Sequence, residues 1–333
     1  MSMSDTSHGV PEERRAGVPR TEMVRVPAQR ATGRPSLLTR LLRDRATALA
    51  LCVVIVLALV AILAPVLLEI LGISAIDPDR KNGLNAAGVP VGPNAQFWLG
   101  TDFVGRDILA RILLGTTNTF LIAVVSATAA IIIGTVVGTL AALYGGIIDV
   151  ALAAVIDFVV ALPFLVIAMA IVVIHGASMG ILMLTISFFS WSTVARMVRS
   201  LVLTIRELDY FKAAIALGAG NLRLVTKHIL PNIAGPVLTY GSLLIPQIIV
   251  MEASLSFLGL GVPPPAPTWG GIIAENQHNY AIAWWSILFP GVALLLSTLS
   301  FNLLGDGIRD ALDGAQSTKR FSAKQMKTAV KEG

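Results

Sequence analysis

Residues 46–68 read ATALALCVVIVLALVAILAPVLL, an uncharged and almost wholly apolar run of 23 residues. At about 1.5 Å of rise per residue, a helix of this length crosses a hydrocarbon core of about 30 Å. The run is too long for a signal-peptide core and follows a basic, proline-containing leader, so it reads as an uncleaved anchor. Similar runs predict five further spans at Phe120–Leu143, Val150–Ile174, Ile181–Val198, Pro236–Leu258 and Ile282–Leu304. The expected fold is therefore an all-α polytopic membrane protein with six transmembrane helices.

Composition supports the same reading. Asp, Glu, Lys and Arg make up 14% of the 333 residues and apolar residues 55%, against about 25% and about 45–50% in a soluble domain. The charges are also segregated: residues 1–45 hold 14 and residues 305–333 hold 10, leaving 21 for the 259 residues between. A surface so poor in charge is solvated by lipid, which excludes a soluble enzyme. The pI of 9.6 then concerns membrane orientation before nucleic acid. The single cysteine, Cys52, excludes a disulfide framework and a cysteine-ligated metal site.

Placing the amino terminus inside puts 21 Lys or Arg in residues 1–45, 144–149, 196–235 and 305–333, and four in the outer loops 69–119, 175–180 and 259–281. This bias predicts that both termini are cytoplasmic. The leader, residues 1–45, reads as disordered, a solvated topology anchor with a lipid-binding role as the alternative. Residues 307–333 read as a cytoplasmic tail.

Three segments are not spans. In the outer loop 69–117, Phe103, Ile108, Leu109, Ile112 and Leu113 recur at helical spacing behind Trp98, with Thr101 or Asp102 as cap, suggesting a helix along the outer interface. It serves either packing or docking. The inner stretch 205–235 reads as a helix from Arg206 to Leu217, a break at Gly218-Ala219-Gly220, and a second helix over Leu222–Ile229 capped by Asn221 and ended by Pro231 and Pro236. The glycine elbow would let two helices approach closely, making a rigid projection that suits a partner's groove. The outer loop Gly259–Ala281, with Pro263-Pro264-Pro265 and Trp269, is uncharged except for Glu275; it is either a rigid connection or a gate contact.

The inner stretch carries a more specific pattern. Lys212-Ala213-Ala214, Gly218 and His228-Ile229-Leu230-Pro231-Asn232 resemble the cytoplasmic EAA loop of ABC importer permeases, in the form of the dipeptide, oligopeptide and nickel branch. Further matches are Leu99-Gly100-Thr101-Asp102 with Gly105-Arg106-Asp107, Asp157 with Leu162-Pro163, Ser254 to Gly261, and Phe301 to Gly307 with Arg309-Asp310. They fall in order between Ala46 and Asp313 and resemble the second, C-type permease of the pair. The resemblance implies the type I ABC importer permease fold, with the core at 118–306. One departure is that the acidic residue naming the loop is Lys212 here. Either the interface is charge-swapped, or that contact contributes little.

The resemblance further implies a second homologous permease chain, two ATPase subunits or one fused ATPase, an extracytoplasmic substrate-binding protein, a lipid membrane, and no nucleic acid. It places the chain in the cell membrane. Residues 1–333 contain no G-x-x-x-x-G-K-[ST] phosphate loop, so ATP hydrolysis is assigned to the partners, which bind ATP and Mg; this chain is expected to hold no cofactor or metal and to have no catalytic residue. Docking of the ATPase is assigned to Lys212, Ala213, Ala214, Gly218, Asn221, Leu222, Arg223, His228 and Pro231. Binding-protein or gate contacts are assigned to Trp98, Thr101, Asp102, Arg106 and Trp269.

Ionisable groups inside spans are rare and costly. Asp157 falls about 12 Å from the inner end of its helix and Glu252 about 24 Å along the fifth. They are hydrogen-bonded structural groups or, alternatively, a proton path in a secondary transporter. Gly134 and Gly138 form a G-x-x-x-G face for the partner permease or for internal packing. Pro163 and Pro246 are expected to kink the third and fifth spans. The function expected is a permease subunit for di- or oligopeptides. Alternatives are nickel or another small solute, a proton-coupled transporter using Asp157 and Glu252, or a membrane scaffold.

Overall fold

The computed structural model describes residues 41, 42 and 44–331, with side chains described as far as Leu312. Most of the leader thus lies outside the described residues. Among the described residues the main elements are all helices: α1 Arg45–Leu71, the short α2 Arg80–Gly83, α3 Ile108–Tyr144, α4 Gly146–Ala161, α5 Phe164–His175, α6 Met179–Arg206, α7 Asp209–Ala216, α8 Asn221–Phe257, α9 Trp269–Asn276 and α10 Trp285–Lys331. Five of these, α1, α3, α6, α8 and α10, are long and apolar enough to cross a membrane, and six spans result if the bent pair α4 and α5 is one. Large apolar side chains such as Ile62, Ile70, Ile174 and Leu184 are exposed, a surface that lipid solvates.

Helix starts follow local chemistry. Asp44 caps α1 by accepting the Thr47 N–H at 2.9 Å. Asp107 caps α3 by accepting the N–H groups of Leu109 at 2.7 Å and Ala110 at 3.3 Å. Burial raises the Asp107 carboxyl above its ordinary value, and these backbone bonds pull the other way. The expected interfacial helix capped by Thr101 or Asp102 is therefore not a separate element. Nothing interrupts the helical pattern between Ile108 and Tyr144, so its residues from Ile108 onward are the first turns of α3, with Phe103 in the turn before it, and the 37 residues of α3 reach about 55 Å at about 1.5 Å each.

Two more boundaries differ from expectation. The third span is broken rather than kinked: α4 and α5 meet at 85° across Leu162-Pro163. Proline has no N–H to continue the ladder, and Leu162 is held extended before it (ψ 133°). Conversely, Pro231 and Pro236 end nothing, because α8 runs unbroken from Asn221 to Phe257. A π-helical stretch at Leu224–Ile229, in which the Leu230 N–H bonds the Val225 carbonyl, widens the turn just before Pro231. Gly220 caps this helix and Asn221 is its first residue.

The core is centred on the α3–α6 pair, where Ile122, Leu182, Ile186, Val194, Ala195 and Val198 are buried. Glycines set its closeness. A Cβ on Gly134 would lie 2.5 Å from Val194 Cβ and 2.7 Å from the Trp191 carbonyl, and one on Gly138 would lie 2.5 Å from the Ala195 carbonyl. The G-x-x-x-G face thus packs internally, against α6. α1 is tied to α3 by the Thr117 hydroxyl, which donates to the Ala61 carbonyl at 2.7 Å.

Candidate functional site

The projection between α6 and α8 is built on three fully or nearly fully buried anchors, Phe211, Leu224 and Ile229. Leu208 starts α7 in an extended conformation, and α7 ends at Leu217 before Gly218, whose φ of +79° favours glycine. A Cβ on Gly218 would meet nothing within 4 Å, so this glycine supplies a left-handed turn rather than the close helix approach expected. The turn leaves Leu217 88% and Leu222 78% exposed, with Ile215 also exposed. Ala213 and Arg223 are exposed beside them and Ala214 is half-buried. Two large apolar side chains thus stand far out on a polar projection.

His228 lies behind this tip. It stacks on Tyr210 at 6.1 Å and meets Phe211 edge-on at 6.3 Å. The Asn232 amide donates to the His228 carbonyl at 2.6 Å and to the Tyr210 hydroxyl at 3.3 Å. His228 and Asn232 thereby join α7 to the start of α8, and Pro231 between them is exposed. Lys212 donates to Glu207 at 2.9 Å, and its bond and charge hold the Glu207 carboxyl below its ordinary value. That stabilisation is complete above the ordinary glutamate value and is lost as pH falls through the lowered one. Both groups are exposed, so changing Lys212 to Glu is expected to leave the melting temperature in detergent unchanged. A clear drop would show the pair to be structural.

At the opposite end, the residues assigned to outer contacts are mostly interior. Trp98 is 66% exposed, but Thr101, Asp102, Arg106 and Trp269 are buried. The side chains of Thr101, Asp102 and Arg106 are engaged in internal hydrogen bonds, and the Trp269 ring is packed inside. The Thr101 hydroxyl donates to the Gly83 carbonyl at 2.5 Å, and its own carbonyl accepts the Trp285 indole N–H at 3.0 Å. Gly100 makes room for that indole at a φ of +76°. Trp269 packs edge-on against Phe120 at 6.0 Å and its backbone N–H donates to the Thr119 hydroxyl at 3.2 Å.

Asp102 and Arg106 belong to a ring of four charges. Asp102 Oδ2 accepts Arg106 Nε at 2.7 Å and Arg111 Nη1 at 3.1 Å; Glu275 accepts Arg106 Nη2 at 2.5 Å and Arg111 Nη2 at 2.9 Å. Each guanidinium bridges both carboxylates, so the ring is neutral and joins the loop before α3, α3 itself and α9. Burial raises the Glu275 carboxyl, with Arg106 opposing. Arg111 and Glu275 were not among the residues singled out from sequence. The signal of Glu275 is rarity, as it is the lone charge between Glu252 and Asp306, whereas Arg111 closes a charged cluster with Asp102, Arg106 and Asp107.

The two carboxylates within the spans have different surroundings. Glu252 is buried in α8 and accepts the hydroxyls of Ser256 at 2.6 Å and Thr268 at 2.8 Å, linking α8 to the cap of α9. Asp157 accepts Arg196 Nη2 at 2.7 Å, while Asp149 accepts Arg199 at 2.6 and 2.8 Å. Asp157 and Glu252 share no partner, which removes the support for a common proton path.

Comparison with known proteins matches this architecture. Residues 130–317 fit the family model described as binding-protein-dependent transport system inner membrane component. The chain is 38% identical over 235 residues to the glutathione transport system permease protein GsiD of Pectobacterium atrosepticum, covering 71% of this chain and 78% of that protein. It is 37% identical over 255 residues to the dipeptide transport system permease protein DppC of Alkalihalophilus pseudofirmus, covering 77% and 81%. Among solved structures, the inward-facing MetNI methionine ABC transporter shares the fold with a TM-score of 0.51 at 20% identity, covering 61% of this chain and 97% of that one. The buried α3–α6 pair, the projection before α8 and these matches together place the chain in the binding-protein-dependent transport system inner membrane component family.

Proposed function

We propose that this chain is the permease subunit of an ATP-binding-cassette importer for di- or oligopeptides, forming half of the pathway beside a second permease. Six spans follow from counting α4 and α5 as one, with both termini cytoplasmic. ATP is hydrolysed by partner subunits, and an extracytoplasmic binding protein delivers the solute. The peptide class rests on the relatives named for glutathione and dipeptide transport.

The observation that carries the reading is the exposed Leu217–Leu222 tip mounted on α8. Its buried anchors make it rigid, and α8 continues for 37 residues from Asn221 to Phe257, about 55 Å at about 1.5 Å per residue. A displacement of the tip by a closing ATPase is thus carried along one helix to Glu252, whose bond to Thr268 meets α9 at the other end. Co-purification tests this: detergent-solubilised chain should bring down an ATPase subunit, and failure to do so sinks the proposal. Replacing Gly218 with Leu is expected to abolish ATPase capture and peptide uptake while membrane insertion persists. The left-handed backbone costs a β-carbon residue only about 1–2 kcal/mol, but relieving that strain redirects the tip. Normal uptake by this variant would remove the docking argument.

A further inference from the structure

Asp157 and Arg196 form an ion pair at 2.7 Å whose side chains are 67% and 53% exposed, although both lie in membrane-spanning helices. Asp157 stands 11 residues into α4 and Arg196 ten before the end of α6, so both are about 15 Å from the same end of the bundle. Hydrocarbon does not solvate such a pair. A dry protein interface is also a poor home, since interface cores are depleted of charge and desolvation opposes the attraction.

The backbone beside it gives a second reason for water. α4 stops at Ala161, four residues beyond Asp157, and the chain turns through 85° at Leu162-Pro163. The last turn of a helix has carbonyls without helical partners, and broken helices at membrane depth occur where they line a wet cavity or are covered by protein. Here Phe158, Val160, Ala161 and Pro163 are exposed. A second pair, Asp149–Arg199, continues the same α4–α6 seam toward the projecting end, with side chains 17% and 31% exposed. Arg196 and Arg199 are three apart on one face of α6.

We infer that the Asp157–Arg196 pair lines the water-filled solute pathway and is a contact for zwitterionic solutes, Asp157 receiving an ammonium group and Arg196 a carboxylate. The inference rests on the importer reading above and names the solute chemistry the pathway accepts. A solute of one sign meets one attractive and one repulsive partner. A peptide with both termini free exchanges partners with the pair and leaves no charge uncompensated.

The test uses the complete transporter in inside-out membrane vesicles, with the sole cysteine removed as Cys52→Ser and a reporter placed as Ala153→Cys, one turn from Asp157. A charged, membrane-impermeant thiol reagent is expected to label the reporter. Trialanine at about four times its dissociation constant should slow labelling about fivefold, whereas trialanine blocked by N-acetylation and C-amidation should not. That protection should vanish with Asp157→Asn, and the exchanged pair Asp157→Arg with Arg196→Asp, which keeps the strut between α4 and α6, should fold and restore it. Absence of labelling while an Ile147→Cys control, 85% exposed at the start of α4 and away from the docking tip, is labelled would overturn the inference in favour of a dry interface. So would equal protection by the blocked peptide, or protection surviving Asp157→Asn. Labelling needs neither ATP nor the binding protein, so a negative result here leaves ATPase capture and uptake intact, while failure of the importer reading appears in those two measurements.

Discussion

Replacing Arg111 with alanine is expected to deplete folded protein from the membrane. The side chain is completely buried and bonded to both Asp102 and Glu275. Its loss leaves two carboxylates to share the Arg106 guanidinium, one of them on the buried Asp102. Removing one partner of a buried ion pair typically costs about 3–5 kcal/mol, a large part of a total stability of about 5–15 kcal/mol. Lysine should rescue poorly, because a single ammonium does not reproduce the fork that holds both carboxylates. Pairing Arg111→Met with Glu275→Gln removes one charge of each sign and should recover much of the loss. Thermal unfolding of detergent-purified protein checks the series, and an alanine variant that melts with the parent would show that the ring is not holding the loop, α3 and α9 together.

Substituting Gly138 with leucine is expected to be comparably disruptive, by sterics. A Cβ there would sit 2.5 Å from the Ala195 carbonyl and 3.0 Å from the Arg199 nitrogen, backbone atoms that cannot rotate aside. Overpacking a well-packed core generally costs about 1–3 kcal/mol, occasionally more, and here α3 and α6 must separate. Gly138→Ala should already lower the melting temperature measurably, because its single methyl meets the same carbonyl. The comparison with Gly218→Ala isolates the mechanism, since that position has open space and only backbone strain. If Gly138→Leu left the isolated chain as stable as the parent and prevented only assembly with a second permease, internal packing would be the wrong account of this face.

How much was legible varied with the kind of feature. The long helices were readable because lipid imposes a minimum apolar length, and the projection was readable because polar residues cluster between apolar runs. Boundaries were less so. Pro163 and Pro231 each follow a leucine, yet one accompanies an 85° break and the other sits just after a π-helical stretch inside a continuous helix. The outer motif Gly100-Thr101-Asp102 with Arg106 was recognisable as a pattern, but its meaning was misread. It looked like a contact surface, whereas Thr101 bonds Gly83 and Trp285, and Asp102 belongs to a buried ring.

From residues alone came the long apolar helices and the position of the polar projection between α6 and α8, because hydrophobic length and charge segregation are local quantities that lipid and water sort directly. The tertiary structure decided which groups meet. It joined Arg106 and Arg111 to Glu275 across more than 160 residues, turned the Gly134–Gly138 face inward onto α6, and left the Asp157–Arg196 pair open on its side of the bundle. These are pairings across the fold, set by how close helix backbones approach and by the need to neutralise every buried charge, and neither leaves a periodic trace in the chain.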